Sequence, residues 1–278
     1  MRINGTLRQR QLGRELRRLR EEARLTLDDA APKLDWSTSK LSRIETGQQS
    51  VDVHGVRSML DLYDVGGARW TEIIDLTREA RQKGWWHAYG ISGQGYLGLE
   101  TDATVVHEYQ LAYVPGLLQT EDYMRVLFGN SPPPRTQAEI DRDMRVRLHR
   151  QRRLTEQPAL ELVAIVDEAA LHRPVGGVEV MRAQLRHLVA QMALPTVCLQ
   201  VLPFSLGVHS GLDGSFIVLG FAEPDEPEIA YVEHTAGAVH LEKESEVSSC
   251  TLVFDRLRSE ALSTQDSITL VERLVTEL

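Results

Sequence analysis

Helix start and stop signals follow one another so closely between Leu12 and Arg81 that this stretch can form only short helices, and short helices are stable only when packed together. Leu12, Leu16, Leu19 and Ala23 recur at helical spacing, while Arg14, Arg17, Arg18 and Arg20 occupy the other faces, so the first helix is amphipathic and basic. Thr26 stands at an N-cap ahead of Asp28 and Asp29, acids that the helix dipole favours in a first turn. Ser37 repeats the device before residues 38–45, and Gly47 follows as a stop. Val53, Val56, Leu60 and Tyr63 mark a fourth helix; Trp70, Ile73, Thr77 and Ala80 mark a fifth. A five-helix domain over residues 1–83 follows, its boundary near Lys83-Gly84, ahead of the glycine-rich Gly90-Ile91-Ser92-Gly93-Gln94-Gly95.

Beyond that boundary the pattern turns to mixed α+β. Strands are expected at 104–109, 160–166, 196–202, 215–219, 228–233 and 238–242. Helices are expected at 120–128, 136–156, 178–192, 245–261 and 265–278, with Thr136 and Glu139 as a capping box. The fold class is therefore multidomain α and α+β, an all-α head over residues 1–83 and an α+β domain over residues 84–278. A length of 278 residues accommodates two domains at roughly 100–200 residues each.

Charge divides along the same boundary. The formal charge of −9 conceals a basic N-terminus, where residues 1–24 hold eight Arg against three Glu. Residues 1–83 are net +3 and residues 84–278 net −12, the outline of a molecule that turns one end toward phosphates. No apolar run reaches the roughly 18 residues of a membrane span, and the N-terminus lacks a signal peptide's apolar stretch, so a cytoplasmic protein without membrane contact is expected. Cys198 and Cys250 alone exclude a disulfide framework and a cysteine-rich zinc site; two buried thiols are expected.

The second helix, a turn at Asp35-Trp36 and the third helix have the proportions of a helix-turn-helix, whose second member lies in the major groove. Ala30 and Ala31 are small where the two helices must approach, and Leu34, Leu41 and Ile44 are spaced to close the interior. Thr38, Ser39, Lys40, Ser42 and Arg43 are left for the outer face, where short hydroxyls and long cations suit bases and phosphates. Double-stranded DNA is the expected partner and sequence-specific transcriptional regulation the expected function. A homodimer is expected, because one head contacts too few base pairs for genomic specificity.

Leu16-Arg17-Arg18-Leu19-Arg20 and the ending Ser42-Arg43-Ile44-Glu45-Thr46-Gly47 resemble the Cro/repressor, or Xre-type, helix-turn-helix, the lambda-repressor-like fold. That resemblance implies Thr38, Ser39 and Arg43 at base edges, Ser37 and Lys40 nearer phosphates, and a structural ion pair between Arg20 and Glu45. Arg24 and Asp35 stand where such domains usually have Gly in left-handed turns, and Pro32 falls inside the second helix, which is short or bent in consequence. Gly84-Trp85-Trp86, Tyr96-Leu97-Gly98-Leu99-Glu100 and Val114-Pro115-Gly116-Leu117-Leu118-Gln119-Thr120-Glu121-Asp122-Tyr123 extend the likeness to the WhiJ-like regulators of actinobacteria. Membership would imply a C-terminal domain that binds a small-molecule signal or a small partner protein encoded nearby. An antitoxin-like binding module with secondary, autoregulatory DNA contact is the alternative. No catalytic residues come with the resemblance, and a non-enzyme without cofactor is expected.

Sharper motifs elsewhere are weak. Gly93-Gln94-Gly95-Tyr96-Leu97-Gly98 matches a dinucleotide pattern but lacks the preceding strand that aims such a loop, and reads as a flexible interdomain loop. Gly207-Val208-His209-Ser210-Gly211 has His where a nucleophile elbow needs Ser, so residues 209–215 read as a polar loop leading into a strand. An enzymatic reading would require a convergent polar pocket around His209 and Asp213. His234 and His240 flank a turn at Gly237, and no metal is expected. Arg142, Arg145, Arg147, Arg150, Arg152 and Arg153 make a basic surface helix, with a second phosphate-contacting face as its alternative. The last helix, with Ile268, Val271, Leu274, Val275 and Leu278, packs in its own core or forms a dimer or partner seam.

Overall fold

The computed structural model of the chain describes residues 7–82, 84–91, 95–222 and 226–278. They fall into two units, Met1–Asp102 and Ala103–Leu278. Lys83, at the boundary drawn from the sequence, lies outside the described residues, as do Ser92, Gly93 and Gln94 of the glycine-rich segment.

The first unit begins with α1 (Leu7–Glu22), α2 (Leu27–Lys33), α3 (Thr38–Glu45), α4 (Val53–Leu62) and α5 (Gly67–Ala80). Local chemistry sets their starts. Thr26 Oγ1 accepts from Asp29 N, and the Asp29 carboxylate reaches back to Thr26 N, a reciprocal cap. Ser37 Oγ accepts from Lys40 N at 3.2 Å, and Asp52 from Gly55 N at 2.7 Å. The core is closed by Leu12, Leu16 and Leu19 of α1, Ala30 and Ala31 of α2, Leu41 and Ile44 of α3, Met59 and Leu60 of α4, and Ile73 and Ile74 of α5. Gly13 lets α1 cross the end of α3: a Cβ there would lie 2.6 Å from the Ile44 carbonyl oxygen.

Arg24 and Asp35 adopt φ of 57° and 55°, and Asp64 adopts 56°, a conformation that costs an L-residue about 1 kcal/mol. Pro32 is the sixth residue of α2, which ends one residue later. The hydrogen bond it forfeits is to the carbonyl of Asp28, an exposed residue that water can serve. Helix 2 is therefore short, with seven residues.

The segment after α5 departs from the loop expected there. Trp85–Tyr89 forms a 3-10 turn and α6 (Gly95–Asp102) is helical. Gly98 and Leu99 are buried, and Trp85 Nε1 donates to Thr101 Oγ1 at 2.9 Å. Packing and the indole hydrogen bond supply what a glycine-rich sequence lacks in helix propensity.

In the second unit, β1 (Val105–Gln110) is followed by α7 (Glu121–Gly129), α8 (Gln137–Gln151), β2 (Glu161–Asp167), α9 (Glu168–His172), α10 (Val178–Gln191) and β3 (Val197–Leu202). Then come β4 (Phe216–Gly220), β5 (Ile229–His234), β6 (Gly237–Leu241), α11 (Glu244–Glu260) and α12 (Thr264–Glu277). The strands form one mixed sheet in the order β3-β2-β1-β4-β5-β6. β1, β2 and β3 are parallel and joined through helices; β4, β5 and β6 run antiparallel. The run Leu162-Val163-Ala164-Ile165-Val166 in β2 is wholly buried, as an inner parallel strand covered on both faces must be. Val163, Ile165, Tyr109 and Phe216 pack with Val247, Phe254 and Leu257 of α11, while α12 packs on α10 and β3.

Candidate nucleic-acid interface

α2 and α3 meet through a turn closed by backbone hydrogen bonds from Leu34, Asp35 and Trp36 to the last carbonyls of α2. The left-handed Asp35 reverses the chain so that α3 begins at once. Leu41, Ile44 and Glu45 form the buried side of α3. Ser37, Ser39 and Arg43 are exposed, and Thr38, Lys40 and Ser42 are half-buried. All six residues singled out from the sequence thus lie on the N-cap and the outward flank of one helix.

Two of them are held in place. Lys40 Nζ sits 3.9 Å from the centroid of the Trp36 ring, a cation–π contact that fixes where the ammonium charge lies. Arg43 Nε donates to the Ser39 carbonyl one turn back at 3.2 Å, which directs the guanidinium along the helix toward its N-terminus. Trp36 carries no helical periodicity and was not singled out from the sequence; only an aromatic four residues before a lysine hinted at the contact.

Behind this flank, Arg20 and Glu45 are both buried and form a two-pronged pair, Nε to Oε1 at 2.7 Å and Nη2 to Oε2 at 2.8 Å. Arg20 Nη1 also donates to the Leu25 carbonyl at 2.7 Å. The hydrogen bonds that Arg20 donates to Glu45 raise the guanidinium pKa above its ordinary value, against the opposing effect of burial. One side chain therefore ties α1, the α1–α2 turn and the end of α3 together.

The other motifs resolve into structure. Within Val114–Tyr123 the polar groups bond inside the domain: Gln119 Nε2 donates to the Val114 carbonyl at 2.7 Å, and Tyr123 Oη accepts from Val114 N at 3.3 Å. Gln184 of α10 accepts from Thr120 N and donates to the Leu118 carbonyl. Three arginines of the 142–153 stretch are similarly occupied. Arg142 pairs with Asp143 at 2.9 Å, Arg147 donates to Gln119 and lies over Phe128, and Arg153 donates to the Ala103 carbonyl.

His209 is buried, with Nε2 3.2 Å from Asp167 Oδ2 and Nδ1 accepting from Gly211 N at 3.2 Å. The proton thus lies on Nε2, and neither nitrogen remains to take one from Ser210. The 209–215 segment, expected as a plain polar loop, is a 3-10 turn over Ser210–Asp213 capped by that histidine. Among the described residues no cluster of His, Cys, Asp and Glu is disposed to hold a metal ion. Cys198 and Cys250 are free and only partly buried, because the strand and helix carrying them lie at the margins of the core.

Fold and site together define a helix-turn-helix DNA-binding regulator that carries a mixed α+β domain. A helix-turn-helix domain model matches residues 11–72, and a model described as a domain of unknown function (DUF5753) matches residues 94–273. The chain belongs to this DUF5753 family. No curated protein and no solved structure matches it. No helix among the described residues is long and apolar enough to cross a membrane.

Proposed function

We propose that the chain is a sequence-specific transcriptional regulator of the WhiJ-like kind. Residues 1–83 bind a near-palindromic operator as a homodimer, and the α+β domain receives a signal or a small protein partner. Thr38, Ser39 and Arg43 meet base edges, Ser37 and Lys40 meet phosphates, and Ser42 supports the same flank. The observation that carries this reading is the exposed polar edge of α3 beginning at Ser37, set on an apolar side that Leu41 and Ile44 bury fully. Such an edge offers donors to the acceptors of the major groove, guanine above all for Arg43.

Selection of bound duplexes from a random pool by the full chain tests the proposal. Enrichment of two inverted half-sites, about 10 base pairs or a multiple apart centre to centre, is expected of a dimer. Recovery of unenriched sequence at physiological salt would sink it.

A further inference from the structure

Two buried hydroxyls of the α+β domain, Tyr109 Oη and Ser210 Oγ, make no hydrogen bond among the described residues. A buried polar atom left unpaired keeps the full penalty of its desolvation, and one that borders a cavity marks a place where a partner molecule would satisfy it. Ser210 borders such a cavity, of about 240 Å³. Tyr109 Oη lies against Gly211, the residue after Ser210, where a Cβ would approach it to 2.6 Å. The 209–215 segment contributes Ser210, Asp213 and Ser215 to the lining, whereas β4, β5 and α11 contribute Phe216, Val232 and Val253.

We propose that this cavity binds a small uncharged molecule with a compact apolar body and a single alcohol or amide head. Its size falls just below the range of about 300–1,000 Å³ for drug-sized ligands, so the occupant is small. Phe216, Val232 and Val253 supply an apolar bed for the body. The head meets three groups of suitable chemistry. Ser210 Oγ is free to donate or accept, and Ser215 Oγ already accepts from Leu111 N at 3.0 Å, so its own hydrogen is left to donate. The Asp213 carboxylate accepts from a hydroxyl or amide hydrogen and repels an anion. The Cys250 thiol in the same wall is pushed up by burial and by the nearby Glu246, in keeping with surroundings hostile to negative charge.

Position agrees with chemistry. The cavity opens beside the carboxyl end of β1, where the parallel half of the sheet meets the antiparallel half. Crevices outside strand carboxyl ends, at points where sheet connectivity changes direction, are where open α/β sheets hold ligands. Occupancy would be how the regulator reads its signal; that consequence rests on the sensor role proposed above, whereas binding does not.

Cys250 provides the test, with Cys198 of the same chain as reference. The full chain is alkylated with iodoacetamide and the two thiols are quantified by peptide mass spectrometry, in the presence of 2-phenylethanol or its anionic counterpart phenylacetate at millimolar concentration. The expected result is a several-fold slowing at Cys250 with 2-phenylethanol only, and an unchanged rate at Cys198. Ser210→Ala should raise the concentration needed for protection by about tenfold, and Val253→Trp, which fills the cavity, should abolish the dependence. No protection, equal protection by phenylacetate, or protection insensitive to Ser210→Ala would overturn the site. Protection of Cys250 with unchanged DNA affinity would uphold the site and remove the sensor role alone.

Discussion

At the scale of single residues, two arginines of the same head have opposite duties. Arg43 is exposed and its Nε is engaged with the Ser39 carbonyl, so its loss removes a donor to DNA and little from the fold. Arg43→Ala should lower affinity for the selected operator by about 1–3 kcal/mol while leaving non-specific binding nearly unchanged, as read by fluorescence anisotropy on matched duplexes; equal affinities would reject a base-reading role. Arg20 is buried against Glu45, and removing one partner leaves a buried charge without compensation. Arg20→Ala should therefore destabilise the head by about 3–5 kcal/mol, seen as a lowered midpoint in urea unfolding followed by tryptophan fluorescence. Both roles were expected from the resemblance of Leu16-Arg17-Arg18-Leu19-Arg20 and Ser42-Arg43-Ile44-Glu45-Thr46-Gly47 to the Xre-type helix-turn-helix, not from periodicity or spacing. The cation–π seat for Lys40 was not legible, because it depends on how the α2–α3 turn aims the Trp36 ring.

Whole elements show which local signals decide structure. α3 is eight residues long, too short to persist alone, and begins where Ser37 Oγ satisfies Lys40 N. Ser37→Ala should cost about 1 kcal/mol of stability. Ser37→Asp retains the cap but sets a carboxylate facing phosphates, so its thermal midpoint should stay near wild type while DNA affinity falls. A parallel fall of both quantities would place Ser37 in the fold alone. Caps at Thr26, Asp52, Thr120 and Thr136 are likewise readable from the chain, because each is a contact within a few residues. α6 escaped reading for the converse reason: it is held by Trp85 and buried Leu99 rather than by its own composition. The basic run on α8 also gave no hint of its destination, since Asp143, Gln119 and Phe128 reach it through the tertiary fold.

For the molecule as a whole, the pH response follows from three histidines of the α+β domain. His107, His149 and His187 all have pKa values lowered from 6.5, in each case chiefly by burial, and in His149 also by Arg152. Near and just below pH 6.5 the unfolded chain then binds more protons than the folded one, so stability rises with pH through that window and is lost on acidification. Calorimetry of the full chain between pH 7.5 and 5.5 should show this domain's transition moving to lower temperature, and His107→Gln should reduce the shift. A transition indifferent to pH over that interval would contradict the burial of these rings. His107 gains its environment by stacking on Phe254 of α11, with ring centroids 4.9 Å apart, a contact spanning more than half the domain's sequence.

By itself the sequence determined the division into an all-α head and an α+β body, the order of the head's first five helices, and the six residues of the proposed DNA-contacting edge. These depend on periodicity and capping, which act over a turn or two of chain and so leave a local imprint. Tertiary structure alone decided the strand order and the meeting of parallel and antiparallel halves, the engagement of His209 Nε2 by Asp167, and the cavity beside Ser210. Each of these joins groups tens of residues apart, and contacts of that span are chosen by packing, where many sequences would satisfy the same geometry and none announces it in a short window.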